Sequence, residues 1–214
     1  MAEKKLLFRR FPPRLNSWQR EITRQRGKAE ALLFMERVQS KYVELFIHSR
    51  SYQPRVLQKQ HFENNILPLI AVYQVLLAEG NEPKSALKTL DCLLEAGIAG
   101  QKRLYKFWGR FPFFFDMLRY MLKPMVGLQY PKAGWQIEFP GLGPDVVALD
   151  GHGCFYLDVL TEYGLPELTR HFCHLDDYLF EGVTPYIRWE RTQTLGRGGE
   201  LCNFRYYRVK QEQG

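Results

Sequence analysis

Cysteine is scarce in this sequence, with four residues among 214. They are Cys92, Cys154, Cys173 and Cys202, and no two of them form a Cys-x-x-Cys pair. We identify no secretory signal either. Free thiols in a reducing compartment are therefore expected, rather than a disulfide framework.

Long apolar runs are also missing. Residues 1–14 carry five Lys and Arg residues and no apolar core follows them, unlike a signal peptide. The most hydrophobic stretch, Ile66 to Ala78, has too few residues to span a bilayer. The aromatic run around Phe113 is interrupted by charged residues and proline. The expectation is a cytoplasmic protein without a transmembrane segment.

Acidic residues are few in the first part of the chain. Residues 1–130 have 22 Lys and Arg against 11 Asp and Glu, a net +11, whereas residues 131–214 have 8 against 12, a net −4. The cations are spread along predicted helices without a DNA- or RNA-reading motif, so specific nucleic-acid binding is not predicted. We interpret them as solvated helix faces, with a homo-oligomer or an acidic protein partner left open.

The pattern changes after residue 130. Proline is absent from Trp18 to His48, which predicts a helix with a kink at Gly27. Further helices are predicted over Asn64–Ala78, over Lys84–Ala96 and, as one or two helices, over Lys102–Met125. The aromatic residues of the last segment are interpreted as core or subunit interface. Residues 1–130 are thus predicted to be a basic helical region.

Residues 131–214 are predicted to form a small α+β domain that carries the active site. Strands are predicted over Gly134–Phe139, Val146–Gly153, Tyr186–Leu195 and Leu201–Val209, with helices over Phe155–Tyr163 and Pro166–Gly182. The order ββααββ predicts a largely antiparallel sheet with a helix pair packed on one face. The fold class of the whole chain is therefore α+β, with the helical part first.

Cys154 is a candidate for a reactive group because it stands between the second strand and the next helix. Helix N-termini lower thiol pKa values and attract anions, so a thiolate or a bound carboxylate is expected there. Asp158 follows one helical turn later. A half-buried cysteine that fills a small gap is the alternative interpretation.

A second group of candidates lies on the next helix and strand. Helical spacing places Asp176 and Cys173 at the edge of the apolar stripe, whereas Asp177 is expected to point to solvent. Asp176 is therefore the carboxyl group expected to have a raised pKa. Strand alternation puts Arg191 on the same face as Ile187 and Trp189, where it needs an anionic partner. That partner is either Asp176 or a ligand carboxylate.

No metal or cofactor is predicted. The close pairs His152-x-Cys154 and His171-x-Cys173 do not match zinc-ligand spacings, although a metal among these residues stays open.

The region from Gly153 to Tyr206 carries several short motifs. They are Cys154, Tyr163–Leu168, Phe172–Asp176, Arg191-Thr192, Thr194-Leu195, Gly198 and Cys202–Phe204. With these residues the chain resembles the bacterial L-2-amino-thiazoline-4-carboxylic acid hydrolase family. The family pattern favours Asp where this chain has Asn203, which weakens an acid–base role at that position.

The resemblance implies a hydrolase of cysteine metabolism, acting on a cyclic C–N bond without a cofactor. Its substrate is a small cyclic isothiourea with a carboxylate, opened by water attack to N-carbamoyl-cysteine. The implied catalytic residues are Asp176 as acid–base group with Cys154, Cys173 and Cys202, and the implied substrate-binding residues are Arg191, Asp158 and Asn203. The alternative function is a non-catalytic module that binds a small ligand or a protein.

Overall fold

The computed structural model describes residues 15–49 and 56–210. The basic segment 1–14, in which no signal peptide is expected, lies outside the described residues. The chain forms two compact units, Met1–Gly97 and Ile98–Gly214. No described helix combines the length and the apolar character that crossing a membrane requires.

The first unit is helical. Its elements are α1 (Leu15–Arg26), α2 (Lys28–His48), α3 (Val56–His61), a π-helical turn (Phe62–Ile66), α4 (Leu67–Ala78) and the first part of α5 (Pro83–Trp108). The predicted kink at Gly27 is a complete break, because Gly27 has a φ of 82°, which helical residues do not adopt. Helix α4 is buried on nearly all sides and forms the centre of this unit's core.

The second unit contains the end of α5, then α6 (Phe113–Gln129), and the sheet. Its remaining elements are β1 (Ile137–Leu142), β2 (Val146–Gly151), α7 (Phe155–Glu162), α8 (Thr169–Phe180), β3 (Ile187–Glu190) and β4 (Cys202–Arg208). The predicted α+β class and the order ββααββ are confirmed. The domain boundary after residue 130 stays a prediction.

The four strands form an antiparallel sheet in the order β1-β2-β4-β3. β4 lies between β2 and β3, and pairs Gly151 with Cys202 and Trp189 with Tyr206. Pro140 is part of β1, which continues beyond the predicted end of this strand at Phe139. Proline is tolerated there because β1 is an edge strand with an irregular register between Glu138 and Gly141.

The core of the second unit joins this sheet to helices from both sides of residue 130. Phe114, Phe115 and Leu118 of α6 pack with Phe180 of α8 against a sheet face that carries Val147, Ile187 and Tyr206. This packing fixes the C-terminal part of α8 beside β3. Arg191, which directly follows β3, is thereby held against α8.

Candidate active site

Arg191 is the buried centre of the candidate site, with 1% of its side chain exposed. Its Nη1 donates to Asp176 Oδ2 at 3.0 Å and its Nη2 to the backbone carbonyl of Cys173 at 2.5 Å. Nη2 also lies 2.7 Å from Asp177 Oδ1. Among the described residues, its Nε has no partner. Of the two alternatives for the anionic partner of Arg191, the ion pair with Asp176 is therefore present in the structure, and it includes a second carboxylate.

The expectation that Asp177 points to solvent is wrong. Besides Arg191, it accepts a hydrogen bond from Arg197 Nη2 at 2.9 Å. The side chains of consecutive helix residues point about 100° apart. A guanidinium that lies over the helix can still reach both carboxylates, because it has several donors in one plane. The segment after β3 crosses α8 at this point and brings both arginines to Asp177.

Asp176 combines partial exposure with a perturbed pKa. Its side chain is 42% exposed. Shielding from water by the surrounding protein raises the pKa of Asp176 to about 6, against the opposing attraction of Arg191. This carboxyl group can therefore exchange protons near neutral pH while Arg191 fixes its position.

The three cysteines of this unit are unpaired and lie close enough that a charge on Cys173 would raise the thiol pKa of Cys154 and of Cys202. Cys154 stands at the N-cap of α7, but burial raises the pKa of its thiol to about 12. The expected low-pKa thiolate is therefore wrong, because desolvation outweighs the nearby amides of Leu157 and Tyr156. Burial also raises the pKa of Cys202, whose Sγ accepts a hydrogen bond from the Leu195 amide at 3.3 Å. Cys173 is buried on α8.

Asn203 is hydrogen-bonded to the segment that carries Arg191, whereas Asp158 is an exposed residue of α7. Asn203 Oδ1 accepts hydrogen bonds from the backbone amides of Thr192 at 3.0 Å and Gln193 at 2.9 Å, and its Nδ2 donates to Thr192 Oγ1 at 2.6 Å. It thus fastens the segment that follows Arg191. Asp158 is exposed on α7, and partial desolvation raises its pKa.

Two threonines that the sequence analysis did not indicate also belong to the candidate site. Thr169 and Thr194 are buried, and their Oγ1 atoms have no hydrogen-bond partner among the described residues. Between them the chain approaches α8 closely at Gly196, where an added Cβ would lie 2.7 Å from Thr169 Cγ2 and 2.8 Å from Cys173 Sγ. The Gly-rich stretch 196–199 is the sequence signal for this close approach.

The arrangement favours proton transfer over thiolate chemistry. It offers one partly exposed carboxyl group with a near-neutral pKa, a buried guanidinium, and the thiols of Cys154 and Cys202, whose pKa values burial raises. Within the described ranges, no three His, Cys, Asp or Glu residues are arranged to hold a metal ion. A groove of about 380 Å³ lies elsewhere, between the α8–β3 connection and Trp189, and none of the predicted site residues line it.

Comparisons with known proteins give one family. A family model described as L-2-amino-thiazoline-4-carboxylic acid hydrolase matches residues 59–206. No curated protein matches the chain. Among solved structures, an H-NOX domain from Shewanella oneidensis, determined by NMR in the Fe(II)CO ligation state, is similar at 12% identity. The similarity covers 94% of this chain and 99% of that one, with a TM-score of 0.41.

Proposed function

Because the chain belongs to the L-2-amino-thiazoline-4-carboxylic acid hydrolase family, we propose that it hydrolyses a small cyclic isothiourea that bears a carboxylate. The observation that carries this proposal is Asp176, a partly exposed carboxyl group with a pKa of about 6 beside buried Arg191. Such a group is ionised at neutral pH and accepts a proton from water. It returns that proton at little cost.

The proposed reaction adds water across the C=N bond of the ring. The water oxygen bonds to the carbon between sulfur and nitrogen and becomes a carbonyl oxygen. One water proton goes to the ring nitrogen and the other to sulfur, as the carbon–sulfur bond breaks and N-carbamoyl-cysteine forms. The C–N bond named in the sequence-based expectation is therefore the bond across which water adds, and the bond that breaks is C–S.

Asp176 is the proposed general base and acid in this reaction. It takes a proton from the attacking water and delivers a proton to the ring nitrogen or the departing sulfur. We propose direct attack by water over a cysteine nucleophile, since burial raises the thiol pKa values of Cys154 and Cys202 and leaves little thiolate at neutral pH. The cysteines then act as packing groups around Asp176.

Arg191 is proposed mainly to position Asp176. Both of its terminal nitrogens already bind carboxylates or a carbonyl, and among the described residues only Nε is without a partner. A bidentate clamp on a substrate carboxylate would require displacement of Asp176 or Asp177. One hydrogen bond from Nε is the contribution to substrate binding that this geometry supports.

The test is an assay of the full chain with 2-aminothiazoline-4-carboxylate, following the mass gain of one water. Asp176→Asn is expected to lower kcat by roughly 10²- to 10⁴-fold, the usual range for a general acid–base group. Asp177→Asn is the matched control, because it also removes one carboxylate from Arg191, and it should keep most of the activity. Absence of turnover in the wild type, or full activity of Asp176→Asn, contradicts the proposal.

The closed ion-pair network supports a second candidate, a module that binds a small ligand without turnover. In this case Asp176 and Asp177 serve only to neutralise Arg191. A thermal shift on addition of the thiazoline, without product formation and equal for both Asn variants, would favour this alternative.

A further inference from the structure

Helix α6 carries apolar side chains over an arc that is much wider than its core-facing stripe. One face, with Phe114, Phe115 and Leu118, belongs to the core. The other is exposed, with side chains spaced along α6 at intervals of three and four residues and exposed by between 41% and 77%: Phe113, Met117, Tyr120, Met121, Met125 and Leu128. A helix that covers only a core needs a single narrow apolar stripe, so the exposed apolar side chains beside that stripe require another explanation.

An aromatic cluster extends this exposed stripe onto the end of α5. Phe111 lies 5.5 Å from both Phe107 and Phe113, between ring centroids, and Trp108 lies 5.8 Å from Phe113. Leu104 and Phe107 are also about half exposed, at 51% and 48%. We call the exposed stripe of α6 together with Leu104, Phe107 and Phe111 the apolar face. Contiguous exposed apolar surface of this kind marks an interaction site.

Cations outnumber anions around the apolar face, although Glu181 interacts electrostatically with Lys106. Arg103, Lys106, Arg110 and Lys123 are exposed on α5, α6 and the turn between them. Asp116 is the one acidic residue between positions 98 and 130, and Arg208 of β4 binds it. A partner of this surface should therefore be apolar at its centre and negative around it.

We propose that the apolar face docks on the surface of an anionic lipid bilayer. Aromatic and methionine side chains would enter the boundary between headgroups and acyl chains, and the four cations would contact lipid phosphates. A second copy of the chain fits less well, because two-fold packing of this face brings its cations against the same cations of the partner. The attachment is peripheral, since no described helix is long and apolar enough to cross the bilayer.

The experiment is flotation of the full chain with phosphatidylcholine vesicles, with and without phosphatidylglycerol. We expect binding to the phosphatidylglycerol vesicles that weakens as salt is added. Arg110→Gln with Lys123→Gln should lower the partition coefficient by about 30-fold, from the usual contribution of a cation near an anionic membrane. Phe113→Ser with Met117→Gln and Met121→Gln should abolish binding even at low salt.

Matched changes elsewhere on the chain control for loss of stability and of total charge. Leu32→Gln with Leu33→Gln replaces two side chains that are 50% and 54% exposed on α2, and Lys84→Gln with Lys88→Gln removes two exposed cations of α5. Both control variants should float like the wild type. Quenching of wild-type tryptophan fluorescence by brominated lipid, expected through Trp108, tests the contact without any substitution.

Three outcomes overturn the proposal. The first is that the wild type does not bind phosphatidylglycerol vesicles at low salt. The second is that the triple variant binds as well as the wild type. The third is that the control variants lose as much binding as the variants of the apolar face and its cations. Sedimentation velocity tests the alternative partner, a second copy of the chain. A dimer that the triple variant dissociates, without vesicle binding by the wild type, assigns the apolar face to a second copy.

Discussion

Asp176 and Asp177 share Arg191, but their carboxyl groups stand in different surroundings. Asp177 is held by two arginines, Arg191 and Arg197, whereas Asp176 accepts from Arg191 and keeps an exposed edge. Both side chains are partly exposed, Asp176 by 42% and Asp177 by 33%, so the number of arginine partners distinguishes them. Asp176 is therefore the acid–base candidate of this pair, and Asp177 is the structural residue.

The pH dependence of kcat should report Asp176 directly. Because the base form must be ionised, activity is expected to rise through an apparent pKa of about 6 and to level off above it. A pH–rate profile of the wild type measures this limb. The residual activity of Asp176→Asn should lack it, and a limb that persists in that variant would assign the titration to another group.

Cys154 should be slow to alkylate in the folded protein. A thiol with a pKa of about 12 carries very little thiolate at pH 7.5, so its reaction with iodoacetamide is expected to be at least about 100-fold slower than in the denatured chain. Peptide mass spectrometry over time measures the rate for each cysteine. Denatured, unreduced protein should give four modified thiols, and fewer would indicate a disulfide.

At the scale of elements, the segment after β3 depends on side chains of its neighbours for its position. Asn203 of β4 holds it from one side through Thr192 and Gln193. On the other side Gly196 lies against α8 with no room for a side chain. This segment carries Arg191 and Arg197, so its contacts with β4 and α8 determine the geometry of the candidate site.

Asn203→Ala should destabilise the fold by about 0.5–1.5 kcal/mol, because two backbone amides, which water can partly reach, lose their acceptor. Asn203→Asp should cost much less, since a carboxylate accepts the same two hydrogen bonds and the Thr192 hydroxyl can donate to it. Urea denaturation of the two variants measures the difference. Equal losses would show that the amide nitrogen, which donates to Thr192, is the important group.

Gly196→Ala is expected to be destabilising as well, by about 1–3 kcal/mol, because its Cβ would overlap Thr169 Cγ2 and Cys173 Sγ. Thr169→Ser with Cys173→Ala removes both opposing atoms and should recover most of this loss. Thermal denaturation of the single and combined variants provides the measurement. Failure of the combined variant to recover stability would place the strain in the backbone instead.

Local patterns predict most of the elements of this chain, and the exceptions have physical causes. The alternation along β3 and β4 and the turn residues between elements predict the order ββααββ. Helix α5 continues to Trp108 although the prediction stops at Ala96, because an isolated glycine such as Gly97 is tolerated within a helix. A Cβ added at Gly97 would lie 3.5 Å from the Trp18 indole nitrogen. The role of Asp177 is not predictable locally, since it depends on a segment twenty residues away.

At the scale of the whole molecule, the stability contributed by Asp176 should fall as pH rises, the reverse of the usual effect of an ion-paired aspartate. Its pKa is raised from 3.8 to about 6, so the folded state binds this proton more tightly than the unfolded state does. Its contribution to stability is therefore largest below pH 4 and is lost as pH rises to about 6. The difference in Tm between wild type and Asp176→Asn should fall over that interval. A difference that grows with pH would mean that the ion pair with Arg191 dominates.

The sheet order has a consequence for synthesis on the ribosome. β4 is translated after β1, β2 and β3, yet it occupies an interior position, and among the described strands β3 pairs with β4 alone. A nascent chain that has delivered β1, β2 and β3 can pair only the first two. Until residue 208 leaves the exit tunnel, β3 and the adjacent Arg191 have no strand to hold them. The candidate site is thus assembled last, and a ribosome that stalls after β3 leaves an open sheet edge for chaperones to cover.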